Sequence, residues 1–342
     1  MNQDWQDFLI QQHAHIEYGV VQNFGDATAE LAATRDDTVL CDLSQFGTLK
    51  VSGEEAQNFL QNLLSSDVAA VSAQHAQLSS LNNPKGRMLA SFLVWRTESG
   101  YFLQLPLSLC AAILKRLSMY ILRAKVKIED MSTQQVRLGL SGKGATELLQ
   151  QYFGALSQDI WSVLQYEQAT IIRVGAQRFQ INFAPQLAPG LWQKLSITAR
   201  PAGSPCWDWL NIHAGIPIIV PATQEQFVPQ MVNLELIGGV NFKKGCYPGQ
   251  EIVARMQYLG KLKRRMVLAH VAGDTTPQPG DELYSADMEG QASGMIVNST
   301  AAPGGGYDVL AAVQISSREA HTVHLQSLQG SALQFLPLPY SL

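Results

Sequence analysis

The chain's densest chemistry lies between Asn241 and Arg255, in the run Asn-Phe-Lys-Lys-Gly-Cys-Tyr-Pro-Gly-Gln-Glu-Ile-Val-Ala-Arg. Cys246 stands beside Lys243, Lys244, Gly245 and Tyr247, and Gly249-Gln250-Glu251-Ile252-Val253 reads as the opening of a helix. Ammonium groups and a helix N-terminus both supply positive potential, which favours a thiolate. Gly245 and Gly249 permit backbone angles closed to other residues, so the segment can press against a neighbour. The competing reading is a cysteine packed into a tight loop, since cysteine is among the most buried residue types.

Residues 243–265 hold seven Lys or Arg against one acid, Glu251, in a chain of net charge −4. Such a patch suits phosphate or a polyglutamate tail, although most charge runs are simply solvated. The chain as a whole has no electrostatic drive toward nucleic acid or anionic membrane. Its four cysteines, Cys41, Cys110, Cys206 and Cys246, lie at least 40 residues apart, with no Cys-x-x-Cys pair and no zinc spacing. His321 and His324, three apart on an expected strand, face opposite ways and make a poor metal pair. No nucleophile elbow, phosphate loop or dinucleotide fingerprint is present. The N-terminus lacks a signal peptide's basic and apolar regions, and no apolar run approaches the roughly 20 residues that cross a bilayer. The expectation is a reduced, cytoplasmic protein.

At 342 residues, 46% hydrophobic and 15% charged, the chain can fill two or three cores. Strands are expected at 46–51, 76–81, 88–95, 101–105 and 125–129. Helices are expected over 56–64, behind a Ser52-to-Glu55 capping box, and over 107–123. This is the split βαβ, ferredoxin-like order. A second unit of that style runs from Val136 to about Gly215, with strands at 136–140, 161–166, 169–174 and 178–183 and helices over 144–152 and 190–198. From Leu262 onward, six short strands separated by Gly- and Pro-rich turns suggest a small all-β barrel.

The segment Lys244-Gly245-Cys246-Tyr247-Pro248-Gly249-Gln250-Glu251 resembles the Lys-Gly-Cys-Tyr-x-Gly-Gln-Glu signature of the YgfZ family, folate-binding relatives of the glycine-cleavage T-protein. Gln226 to Gln230, Asn233-Leu234, Gly238-Gly239, Phe242 and the terminal Pro337 to Leu342 also fit that family's order. The resemblance implies an α+β, T-protein-like fold around a central folate channel. Its expected lobes are 1–135, 136–250 and a C-terminal β-barrel, 251–342. It implies tetrahydrofolate as cofactor, no permanently bound metal, and work in iron–sulfur cluster assembly or repair with an indirect effect on tRNA modification. Iron–sulfur enzymes or assembly proteins are then the expected partners, and Cys246 the functional thiol.

Folate-binding positions carry over residue by residue. Trp207 precedes Asn211-Ile212-His213-Ala214-Gly215 as the family's tryptophan precedes its Asn-Ile-x-Ala-Gly run, and Phe46 replaces a second tryptophan seven residues before Gly53. Phe46 keeps a stacking surface but loses the indole N–H. His213 stands where the family usually places Glu, and a neutral imidazole cannot reproduce a carboxylate's two-acceptor fork. Lys244 and Tyr247 complete the expected folate set. T-proteins carry adjacent aspartates after the Lys-Gly turn, whereas here Ala90 and Ser91 follow Lys85-Gly86. An active aminomethyltransferase is therefore not expected, although a folate-dependent one-carbon transferase or demethylase is the alternative reading. An RNA-binding use of residues 243–265 is a third, against which the lack of interleaved aromatics counts.

Overall fold

The computed structural model describes all 342 residues, which form two compact units. The first comprises Met1–Phe59, Ala69–Gln77 and Leu93–Trp207; the second comprises Leu60–Val68, Leu78–Phe92 and Asp208–Leu342. No helix is long and apolar enough to cross a membrane.

The first unit contains a six-stranded sheet in the order Val163–Tyr166, Ala169–Gly175, Arg178–Phe183, Val136–Ser141, Val39–Asp42, Arg200–Ala202. The first five strands pair antiparallel and the last joins parallel. Side chains alternate across a strand, so each sends one set to each face. Val136, Leu138, Leu140, Ile171, Phe179, Ile181 and Phe183 form one face. It packs with Leu148, Leu149, Trp192 and Leu195 of two helices and with Trp5 and Leu9 of the N-terminal helix Gln3–Gln11. The intervening residues, among them Arg137, Arg178, Gln180 and Asn182, are buried as well. That second face is therefore a polar seam, closed by hydrogen bonds. Gln180 and Gln104 exchange amide bonds of 2.6 and 3.0 Å, and Arg137 donates to Thr48 Oγ1 at 3.2 Å and Phe46 O at 2.7 Å.

The five-stranded sheet runs Gln77–Asn82, Met88–Thr97, Gly100–Pro106, Phe46–Ser52, Lys127–Asp130, with the helix Leu107–Ser118 as its crossover. These strands match the expected split βαβ elements to within two residues. The helices depart more. The expected 107–123 helix ends at Ser118, and the expected 56–64 helix ends at Gln61. No capping box forms ahead of it, because the Glu55 carboxylate accepts the N–H of Lys125 at 2.6 Å. Strand Val39–Asp42 and the N-terminal helix were not legible. That strand belongs to the same sheet as Val136–Ser141, so residues 1–135 and 136–250 share a sheet.

In the second unit, Val323–Leu325, Glu282–Ser285, Gly294–Ala301, Tyr307–Gln314, Arg264–Val271 and Leu333–Leu336 form an antiparallel six-stranded sheet. Its apolar concave side is filled by Val267, Ala269, Leu283, Ile296, Val309 and Ala311. The sheet curls far enough that an isolated bridge joins His324 to Ala332, tying the two edge strands. All six C-terminal strands were expected from sequence.

Candidate functional site

The Cys246 loop is pinned at both ends within the second unit. On its N-terminal side, Asn241 Oδ1 accepts the backbone N–H groups of Lys243 and Lys244 at 2.8 and 3.1 Å. The Lys244 ammonium donates to the carbonyls of Gln61 and Leu64 at 2.5 Å and of Ser66 at 3.0 Å. Its three donors are therefore all used on the turn that ends the Ala56–Gln61 helix. Burial pulls the Lys244 pKa down to about 8, and Asp67 opposes the shift. On the C-terminal side Gly249 is the N-cap of helix Gln250–Tyr258, with φ +76°. A Cβ there would lie 2.4 Å from Asn83 O and 2.5 Å from Gly86 Cα. Glycine is thus needed for conformation and for close approach to the Asn83–Arg87 turn. Gly245 differs from the expectation. A Cβ on it would meet nothing within 4 Å, and its φ is not positive.

Between these anchors Cys246 is exposed, whereas Cys41, Cys110 and Cys206 are buried. Burial pushes the Cys110 thiol up to about 11. Tyr247 follows with its ring buried, 5.2 Å from Lys244 Nζ, and with no partner for its hydroxyl. Burial raises that phenol to about 12.

His213 closes helix Ser204–His213 and is part of a cluster. Its Nε2 lies 2.7 Å from Asp308 Oδ2, which also accepts the Trp209 indole N–H at 2.8 Å. Asp308 Oδ1 lies 2.8 Å from His270 Nδ1. His270 and Asp308 sit directly opposite each other on paired strands, so register alone brings them together. A carboxylate only accepts, so both imidazoles donate to it, leaving His213 Nδ1 and His270 Nε2 as the remaining ring nitrogens. Burial raises the Asp308 pKa, but the His213, His270 and Trp209 hydrogen bonds outweigh it and hold the carboxyl below its usual range. The Trp209 and His213 rings lie 4.0 Å apart, centroid to centroid. Sequence reading missed Asp308 and His270. The available signal was a lone acid in the otherwise apolar strand Tyr307–Gln314.

Phe46 and Trp207 both belong to the first unit and are buried. Trp207 lies against Gly139, where a Cβ would come within 2.5 Å of the ring. The Arg178 guanidinium lies 5.2 Å from the indole centroid. Arg178 is itself buried, and its Nη1 has no partner. Burial lowers its pKa to about 10. Sequence reading missed this residue too; the alternation of Arg178, Gln180 and Asn182 with Phe179, Ile181 and Phe183 reads as an ordinary half-exposed strand. Ala90 is wholly buried, and Ser91 Oγ accepts the Ile219 N–H at 3.0 Å, so neither position carries a carboxylate.

The basic run divides. Lys244 caps carbonyls, Arg264 donates to Ala292 O, and Arg265 pairs with Glu235; Lys243, Arg255, Lys261 and Lys263 remain exposed. No group of three or more His, Cys, Asp or Glu is placed to hold a metal ion.

Known proteins share both the fold and the sequence pattern. The glycine cleavage system aminomethyltransferase T from Bartonella henselae superposes over 99% of this chain and 97% of its own, with TM-score 0.81 at 20% identity. The architecture is therefore an α+β, T-protein-like fold. The tRNA-modifying protein YgfZ of Colwellia psychrerythraea is 33% identical over 232 residues, 67% of this chain and 71% of that protein. Its namesakes from Pectobacterium atrosepticum and Pectobacterium carotovorum subsp. carotovorum are each 28% identical over 337 residues, 98% of this chain and 99% of theirs. The GCVT N-terminal domain model matches residues 14–244. With that match and these near full-length relatives, the chain belongs to the GCVT N-terminal domain family and, within it, to the YgfZ family.

Proposed function

We propose that this protein is a cytoplasmic, tetrahydrofolate-binding accessory protein of iron–sulfur cluster assembly or repair, acting through that role in tRNA modification, with Cys246 as its working thiol. The observation that carries the reading is the exposed Cys246 on a loop clamped by Lys244 on one side and Gly249 on the other. A thiol held in a fixed place yet open to solvent is suited to contact a partner protein. One thiol cannot hold a cluster alone, so contact with an iron–sulfur protein is transient or shared. The tRNA link rests on the relatives' names.

The first unit's residues fit a folate. Arg178 offers a buried donor without a protein partner, beside the broad surface of Trp207. An aromatic wall with one unmet charged donor suits a flat heterocycle bearing acceptors. Tetrahydrofolate, when bound, carries one-carbon units. For their transfer this chain offers no carboxylate at Ala90 or Ser91, which favours the accessory role over the aminomethyltransferase or demethylase alternative.

The test pairs two variants in a strain lacking its own family member. Cys246→Ser, differing by one atom, should fold normally and fail to complement. Trp207→Ala should weaken tetrahydrofolate-dependent fluorescence quenching by about 1–3 kcal/mol of binding energy. Full complementation by Cys246→Ser removes the thiol from the mechanism, and unchanged affinity removes Trp207 from the site.

A further inference from the structure

A cleft of about 280 Å³ opens in the first unit, lined by residues of three segments: 74–75, 155–164 and 171–179. Leu156, Leu164, Ile171 and Phe179 give it an apolar wall, and Arg173 is its one cationic guanidinium. Arg173 is 3% exposed. It lies on strand Ala169–Gly175, on the same face as Ile171, and its guanidinium covers the Phe179 ring at 4.4 Å. Two of its nitrogens serve the backbone: Nε donates to Ser157 O at 2.7 Å, and Nη1 donates to Ala176 O. Nη2 has no partner. No acid pairs with Arg173, and burial lowers its pKa without an opposing carboxylate. Asp159 stands exposed at the rim, its carboxylate accepting from the Ser157 hydroxyl at 3.2 Å.

A buried, unpaired charge is costly, and a methionine would fill the same space against Phe179 without that cost. We propose that this cleft is a second ligand site, distinct from the folate-binding residues, that takes a small monocarboxylate with an apolar body, seated on Arg173. One unmet guanidinium nitrogen answers one acidic group. A phosphate dianion calls for further fixed cations, and no lysine or second arginine lines the cleft. The volume lies just below the roughly 300–1,000 Å³ of sites that enclose drug-sized ligands, so the occupant is smaller than a folate. The apolar wall selects for a ring or short aliphatic chain, and His75 and Ser162 at the cleft supply polar contacts for a substituent.

The experiment is calorimetric titration of the full chain with benzoate and with benzamide, its neutral counterpart, up to about 10 mM. Benzoate should bind saturably and benzamide at least about tenfold more weakly, as expected when a charge-assisted hydrogen bond is lost. Arg173→Met should cost benzoate at least about tenfold in affinity and Arg173→Lys less. Leu164→Trp, on an exposed edge strand, should fill the cleft and abolish binding even if Arg173→Met proves unstable. Tetrahydrofolate quenching should persist in each variant, so failure here leaves the folate reading standing. Equal binding of benzoate and benzamide, no benzoate binding, or benzoate binding untouched by both Arg173→Met and Leu164→Trp overturns the proposal.

Discussion

Replacing Lys244 by methionine separates two jobs that the side chain could hold. Its ammonium donates to three carbonyls, those of Gln61, Leu64 and Ser66, at 2.5, 2.5 and 3.0 Å. Hydrogen bonds to a charged group each contribute about 1.5 kcal/mol at the low end, so three give about 4–5 kcal/mol. Freezing a lysine side chain costs roughly 2 kcal/mol of rotamer entropy, which methionine largely shares but recovers if its chain is left mobile. The expected net loss is therefore about 2–3 kcal/mol, concentrated where residues 61–66 meet the signature loop. Urea unfolding followed by far-ultraviolet circular dichroism should show the midpoint falling by about 1 M, for a denaturant slope of about 2–3 kcal/mol/M. Hydrogen exchange should speed up first in residues 60–68. If the midpoint and exchange are unchanged while tetrahydrofolate affinity falls, Lys244 acts on ligand and the structural reasoning is refuted.

Three further outcomes follow from the structure. Gly249→Ala forces a side chain into left-handed backbone and onto Asn83 O, and should destabilise by about 2–6 kcal/mol, whereas Gly245→Ala, facing open space, should be nearly neutral in thermal melts. Asp308 has a depressed pKa, so its stabilising contribution is present above the unfolded carboxylate value of 3.8 and is lost as pH falls through the lower folded value. Asp308→Asn should cost about 1–3 kcal/mol at pH 7 and flatten the acid limb of a stability–pH curve, while an unchanged limb would show that other groups govern it. Limiting alkylation read by mass spectrometry should label exposed Cys246 ahead of Cys41, Cys110 and Cys206, and earlier labelling of Cys110 would contradict its burial.

Local patterning alone was enough for most of the β architecture. Period-2 alternation and Gly/Pro turns located the six strands of the curled C-terminal sheet, the five strands of the Phe46–Asp130 sheet and four of the six in the first unit's larger sheet, but not Val39–Asp42 or Arg200–Ala202. Each such strand buries a face whose residues are near neighbours in the chain. The signature run likewise announced a close backbone approach before a helix, since Gly249 at a helix start has local meaning. Tertiary structure decided everything that depends on partners far along the chain. Lys244 reads as a charge for a ligand or a thiolate until the carbonyls of residues 61–66, some 180 positions away, appear beside it. His213 reads as a lone imidazole until sheet register sets Asp308 against His270. Arg173 and Arg178 read as ordinary strand arginines until packing buries them without a counter-charge. Spacing along the chain encodes which face a residue takes; only the folded sheet determines which charge it meets there.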